Sequence, residues 1–213
     1  MNVKITSRED PRQAGFDHPS LILVEGIDDR SVAAGLIEHE GLEGFQVHDM
    51  VGKDKWGVRI KALVRDPSFE SNVKTLGLVR DADDNPARAW TSSLNALNTA
   101  GLSLPREPIV IAAGNPSIAV MIVPSHEDKG AIEELCMRSF DPNRIRCVGR
   151  YMECVNESRE VATKAFVQAY LAGLNPLCRD LGIAAKKGTL DFSHEAFNGL
   201  RRFVRNLRDA AVG

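Results

Sequence analysis

Short apolar runs alternate with helix-period stripes over the first part of the chain. Residues 20–25 form a buried-type strand that ends on Glu25. Asp28 or Asp29 then opens a helix, because Val32, Ala33, Leu36 and Ile37 recur at helical spacing and carboxylates favour a first turn. Gly41 and Gly44 stop it. Phe45, Val47 and Met50 alternate as a second strand, and Val58, Ile60, Leu63 and Val64 predict a helix over 56–65 that Pro67 closes. A third strand spans 74–79. Pro86 then sits at the start of a helix holding Trp90, Leu94 and Leu97, and Gly101 ends it. Residues 108–112 and 117–123 predict two strands joined by turn residues 113–116. From Gly130 onward the pattern is mainly helical, over 131–140, 158–172, a short piece near 177–181 and 195–211, with one more strand at 145–152. The first twenty residues read as an irregular lead-in with an edge strand at 3–5.

This order predicts an α/β fold: a sheet of mostly parallel strands covered by helices on both faces, with an antiparallel edge pair and a helical C-terminal extension. Residues 1–125 make the α/β core and 126–213 the mainly helical extension, which packs on the core because no linker or low-complexity tract separates them.

Composition narrows the class. With 213 residues, 43% hydrophobic and 26% charged, the chain has the balance of a globular protein, and no run approaches the roughly 18 apolar residues of a membrane span. The polar start does not resemble a signal peptide. Cys136, Cys147, Cys154 and Cys178 form no CxxC pair and have no histidine at finger spacing, so structural zinc is not expected and reduced thiols in the cytoplasm are. A net charge of −2 hides an asymmetry: residues 1–143 carry 15 Lys and Arg against 22 Asp and Glu, residues 144–213 carry 12 against 7. A basic part beside an acidic one suits a polyanionic substrate; equally, the two parts attract each other.

The candidate chemistry lies at strand ends. A parallel sheet brings Glu25 to the same edge as Asp81 and Asp83, which follow the run Leu76 to Val79. Clustered carboxylates repel unless a cation sits among them, and the expected partner is Mg2+ or Mn2+.

Val24, Glu25 and Gly26 after one strand, with Asp81, Ala82 and Asp83 after another, resemble the Toprim pattern of topoisomerases, primases, RecR and OLD-type nucleases. Pro124, the run Gly130 to Leu135, and Lys164 heading a helix with Tyr170, Leu171 and Ala172 make the chain similar to the small stand-alone Toprim-like proteins of unknown function, over residues 20–208. The resemblance implies that Glu25 is a general acid or base or a ligand, and that Asp81 and Asp83 hold the metal. It further implies that Asp29 also serves the metals, that Glu133, with Glu134 beside it, contributes to a second metal position, and that Lys164 steadies charge on the phosphate. Gly26 would allow a sharp turn. The implied activity is a metal-dependent phosphotransferase, a nuclease acting on DNA or RNA. The alternative is a non-catalytic Toprim-fold module that binds nucleic acid or protein. No GxxxxGK[ST] motif occurs, so an ATPase would be a separate partner protein. A HAD-like phosphatase also starts from an aspartate pair, but the second aspartate is followed by Asp84 and Asn85, not Thr or Ser.

Each residue also has a structural role to weigh. Glu25 would pair with Arg30; Asp29 would serve as first-turn charge; Asp81 to Pro86 would be a turn and helix start. Trp56 and Trp90 are expected in the core, and His126 is the one histidine placed to approach the site. Arg201, Arg202, Arg205 and Arg208 share a helical face that is either solvated or open to phosphates.

Overall fold

A computed structural model describes residues 3–7, 15–156 and 162–213. Strands β1 (Val3–Ser7), β2 (Ser20–Val24), β3 (Phe45–Asp49), β4 (Thr75–Asp81) and β5 (Ser117–Val123) form one sheet in the order β1-β3-β2-β4-β5, every pair parallel. The helices are α1 (Ile27–His39), α2 (Trp56–Leu63), α3 (Pro67–Asn72), α4 (Pro86–Ala100), α5 (Ile132–Met137), α6 (Pro142–Asn156), α7 (Thr163–Ala172), α8 (Leu181–Lys186) and α9 (Asn198–Val212). The lead-in residues 8–14 and the start of the helix expected at 158–172 lie outside the described residues.

The period of two along each strand builds two cores. Leu21, Leu23, Leu76, Leu78, Ile118, Val120 and Ile122 face one side, with Trp56, Ile60, Phe69 and Leu97 of α2, α3 and α4. Ile22, Val24, Val79, Ala119, Met121 and Val123 face the other, with α1, α5, α7, α8 and α9. The C-terminal helices therefore complete one face of the sheet: Phe203, Val204 and Leu207 of α9 lie in the same apolar cluster as Ile22 and Val79. Gly77 faces α9, and a Cβ there would stand 2.6 Å from Leu207 Cδ1 and 2.7 Å from Phe203 Cζ.

Three expectations change. Residues 108–112 form no strand: Ile109 adopts φ +68, which breaks the extended run, and only a single Ala112–Ile118 bridge remains. Among the described residues the sheet has no antiparallel edge pair as a result. Residues 145–152 belong to α6, because Ile145, Val148 and Met152 recur at offsets of three and four and turn one face inward. Pro67 starts a helix instead of closing one, with the Asp66 carboxylate capping Ser68 N–H at 2.8 Å.

The chain leaves β2 towards β3 over α1, on one face, and reaches β4 over α2 and α3, on the other. The gap between the ends of β2 and β4 is thus the topological switch point, where open parallel sheets place ligands beyond their carboxyl ends.

Candidate functional site

Three strand ends meet at that point and each carries an acid: Glu25 after β2, Asp49 ending β3 and Asp81 ending β4. Together with Asp28, Asp29, Glu133 and Lys164 they line a cleft of about 830 Å³. Strand parity sends the two neighbours at the end of β4 to opposite faces. Asp81 turns towards α1 and α5, where Ile132 N–H donates to its Oδ1 at 3.2 Å. Arg80 turns towards α2, where its guanidinium lies 4.2 Å over the Trp56 ring and its Nε donates to Glu25 Oε1 at 2.7 Å. The same Glu25 oxygen accepts Asp81 N–H at 3.3 Å.

Asp29 is buried at the third position of α1, and its carboxylate bends back to accept Gly26 N–H at 3.1 Å. Gly26 is extended, with φ −143, so its role is space and not a left-handed turn. A Cβ there would press on Asp29 Oδ2 at 3.3 Å. Glu134 makes the matching contact at the head of α5, accepting Ala131 N–H at 2.7 Å, and this leaves its neighbour Glu133 lining the cleft. Lys164 extends from α7 to within 3.7 Å of Asp28 and 3.8 Å of Glu133.

Crowding shows in the electrostatics. Burial first, then the charges of Asp29, Glu25, Glu133 and Asp83, push the Asp81 carboxyl from 3.8 to about 9. Burial, then Glu25 and Glu133, push Asp29 to about 7, with its backbone hydrogen bonds opposing the rise. Such groups titrate as a unit. Among the described residues no three His, Cys, Asp or Glu side chains already converge as a metal cage, and the carboxylates of Glu25, Asp29 and Asp81 are each anchored to the scaffold through one oxygen.

The residues expected at the site thus separate. Glu25, Asp29, Asp81, Glu133 and Lys164 share the cleft. Asp83 does not line it: at φ +48 its backbone exchanges two 2.8 Å hydrogen bonds with Gly130, its exposed carboxylate pairs with Lys53 at 3.0 Å, and it lines a neighbouring hollow with Asp84 and Arg88. Arg30 pairs with Asp49 at 2.5 Å, not with Glu25. His126 lines neither space and stands 4.0 Å from Glu127. Trp56 is in the core as expected and also holds Arg80. The α9 arginines do not face the acids: Arg205 pairs with the buried Glu40 at 2.5 Å, Arg201 donates to Phe192 O at 2.8 Å, and Arg208 lines a hollow at the start of β2.

Asp49, Arg80 and Lys53 were not among the expected site residues. Asp49 repeats the strand-then-acid pattern of Glu25 and Asp81, and Arg80 is a charge placed directly between an apolar run and an acid pair. Both signals were present in the sequence. Lys53 carries none, since its pairing depends on how the 50–55 loop folds back.

The fold and the site define a parallel α/β protein with an acid-lined cleft at its switch point. The chain belongs to a family described as Protein of unknown function (DUF3226), whose model matches residues 19–209. No curated protein matches the sequence. Among solved structures it is similar to the C-terminal region of the Burkholderia pseudomallei OLD protein, at 13% identity over 92% of this chain and 100% of that one, with a TM-score of 0.49. It is also similar to the C-terminal region of the Xanthomonas campestris pv. campestris OLD protein, at 14% identity over 92% and 98% of the two chains, with a TM-score of 0.45. Among the described residues no helix is long and apolar enough to cross a membrane.

Proposed function

We propose that the chain is a Toprim-type, metal-dependent phosphotransferase that cleaves DNA or RNA phosphodiesters. The observation that carries this reading is the mutual repulsion of Asp81, Asp29, Glu25 and Glu133 in one cleft. Asp81, raised to about 9, holds its charge at neutral pH only with a further cation beside it, and an all-oxygen donor set suits a hard ion, Mg2+ or Mn2+. Asp29, Asp81, Glu25 and Glu133 would hold it, and when bound it neutralises phosphate charge and acidifies a water.

The remaining work belongs to the chain. Arg80 fixes Glu25 by its 2.7 Å ion pair, and the Asp81 amide fixes the same oxygen, so Glu25 presents its carboxylate to the cleft in one orientation. Lys164 is 65% exposed and free to move its ammonium from Asp28 and Glu133 to a phosphate oxygen as charge develops there. Asp83 enters this scheme only through its charge on Asp81.

The test is cleavage of single- and double-stranded DNA and RNA with Mg2+ or Mn2+. Glu25→Gln and Asp81→Asn are expected to abolish cleavage and leave the circular dichroism spectrum intact. Wild-type protein that cuts none of these substrates, alone or with an ATPase partner, overturns the reading. The second reading, a Toprim-fold binding module without turnover, is favoured by one observation: Arg80 and the Asp81 amide already engage Glu25. A protein that binds metal and nucleic acid but never cleaves would establish it.

A further inference from the structure

An acid-lined cleft repels the polyanion it is proposed to cut, so a productive complex needs a positive surface beside it. The α9 stripe does not supply one, since Arg205 and Arg201 are engaged within the protein and Arg208 lies at the opposite end of the strands, by the start of β2. Helix α6 does. It packs along α7, the helix that carries Lys164 into the cleft wall, and α7 in turn packs on α5, which carries Glu133.

The residues of α6 fall on two sides, and the exposed side carries one acid, Glu153, beside its arginines. Ile145, Val148 and Met152 turn inward to the core. Arg144, Arg146 and Arg150 are all exposed, and none of them has an acidic partner among the described residues; Arg146 bonds the Asn143 side chain. Tyr151, next to Arg150 in the chain, is 58% exposed on the same helix. Cationic forks and an exposed aromatic ring on one helix match the two parts of a nucleic-acid strand, since guanidinium groups bind phosphates and a ring accepts a stacked base. An acidic protein would leave the ring without a specific contact. We infer that the outer face of α6, through Arg144, Arg146, Arg150 and Tyr151, is the docking surface for the sugar-phosphate backbone of a nucleic acid, and that it delivers the strand to the cleft past Lys164. This inference rests on the nuclease reading for its direction towards the cleft, and its binding step is separable from cleavage.

The probe is a fluorescein-labelled 30-nucleotide single-stranded DNA, with an RNA of the same sequence beside it, titrated by anisotropy in EDTA so that no turnover occurs. The triple variant Arg144→Glu, Arg146→Glu and Arg150→Glu is expected to bind at least tenfold more weakly and to lower the salt slope of log K by about 2, for three lost phosphate contacts. Arg202→Glu with Arg208→Glu, on α9, makes a comparable charge change and is expected to leave binding unaltered. A measurement that needs no charge reversal uses the exposed Cys147 on the same helix: bound DNA is expected to slow its labelling by maleimide severalfold. Unchanged affinity in the α6 variant, unchanged labelling of Cys147, or loss of binding in the α9 variant instead overturns the inference. Wild-type protein that binds through α6 but does not cleave with Mg2+ or Mn2+ supports it and removes the nuclease reading. Wild-type protein that cleaves while the α6 variant binds and cleaves as well removes the inference and keeps that reading.

Discussion

Replacing Asp81 by asparagine should stabilise the metal-free protein at alkaline pH while destroying its site. The native carboxyl is raised from 3.8 to about 9, by burial and then by Asp29, Glu25, Glu133 and Asp83. In the unfolded chain it ionises near its ordinary value. Between those two values the folded state holds a proton that the unfolded state does not, so stability is full below about pH 4 and is lost as pH rises towards 9. A displaced pKa is worth about 1.4 kcal/mol per unit, which sets a ceiling of about 4 kcal/mol for the loss between pH 5 and pH 8 from this one group. The cleft is open, and water screens part of it, so about 2 kcal/mol is the expected size.

The side-chain amide introduced by Asp81→Asn retains an acceptor for Ile132 N–H, which donates to Asp81 Oδ1 at 3.2 Å in the wild type, so the change removes charge and keeps shape. Urea unfolding in EDTA measures the outcome. Wild type should lose about 2 kcal/mol on going from pH 5 to pH 8, and the variant should lose less than half of that. The two should be equal below about pH 4. If the cleft takes a metal as proposed, adding Mg2+ should reverse the order: a metal at a hundred times its Kd would contribute about 2.7 kcal/mol to wild type, and the variant should gain far less. A wild-type stability that stays flat between pH 5 and pH 8, or a variant less stable than wild type at pH 8 in EDTA, would refute the electrostatic account of the cleft.

Three further outcomes follow from other parts of the molecule. Gly77→Ala places a methyl group 2.6 Å from Leu207 Cδ1 and 2.7 Å from Phe203 Cζ, and should cost about 2 kcal/mol in urea melts, while the double variant with Leu207→Ala should cost less than the sum of the two single changes. Arg80→Met leaves Glu25 without its ion pair and Trp56 without its cation; it should cost about 2 kcal/mol and shift the tryptophan emission, whereas an unchanged melt and spectrum would deny Arg80 its positioning role. Cys147 and Cys154 are exposed, Cys136 and Cys178 buried, and burial followed by the charges of Glu133, Asp29 and Asp28 pushes the Cys136 thiol well up, so Ellman's reagent should count two fast thiols in the native protein and four in denaturant.

The sheet was legible because its strands are short and apolar and three of them, β2, β3 and β4, end in or just before acids. The failures were failures of period. Ile145, Val148 and Met152 belong to a helix whose other positions include Cys147, Tyr151 and Val155, so the apolar content of the segment mimicked a strand while its spacing did not. Residues 108–112 have strand composition, but Ile109 adopts a positive φ, a conformation that a β-branched residue does not announce in sequence.

The site was legible in proportion to its dependence on strand ends. Glu25 and Asp81 are placed by β2 and β4, and parallel pairing of those strands suffices to bring them together. Asp29 and Glu133 stand near the heads of α1 and α5, at positions carried over by resemblance, and they reach the cleft because both helices start at the same sheet edge. Asp83 lies two residues beyond a strand, where the turn and not the strand decides direction, and the Gly130 bridge sends it to Lys53. Strand parity was the missing step for Arg80 and Asp81: adjacent residues point to opposite faces, so the cation that orders Glu25 and the acid that shares its cleft are neighbours in sequence for a geometric reason. The same parity makes Arg80 and Asp81 separable experimentally, since one acts through Trp56 and α2 and the other through Asp29 and Glu133, and substitutions at the two should add only insofar as Glu25 couples them.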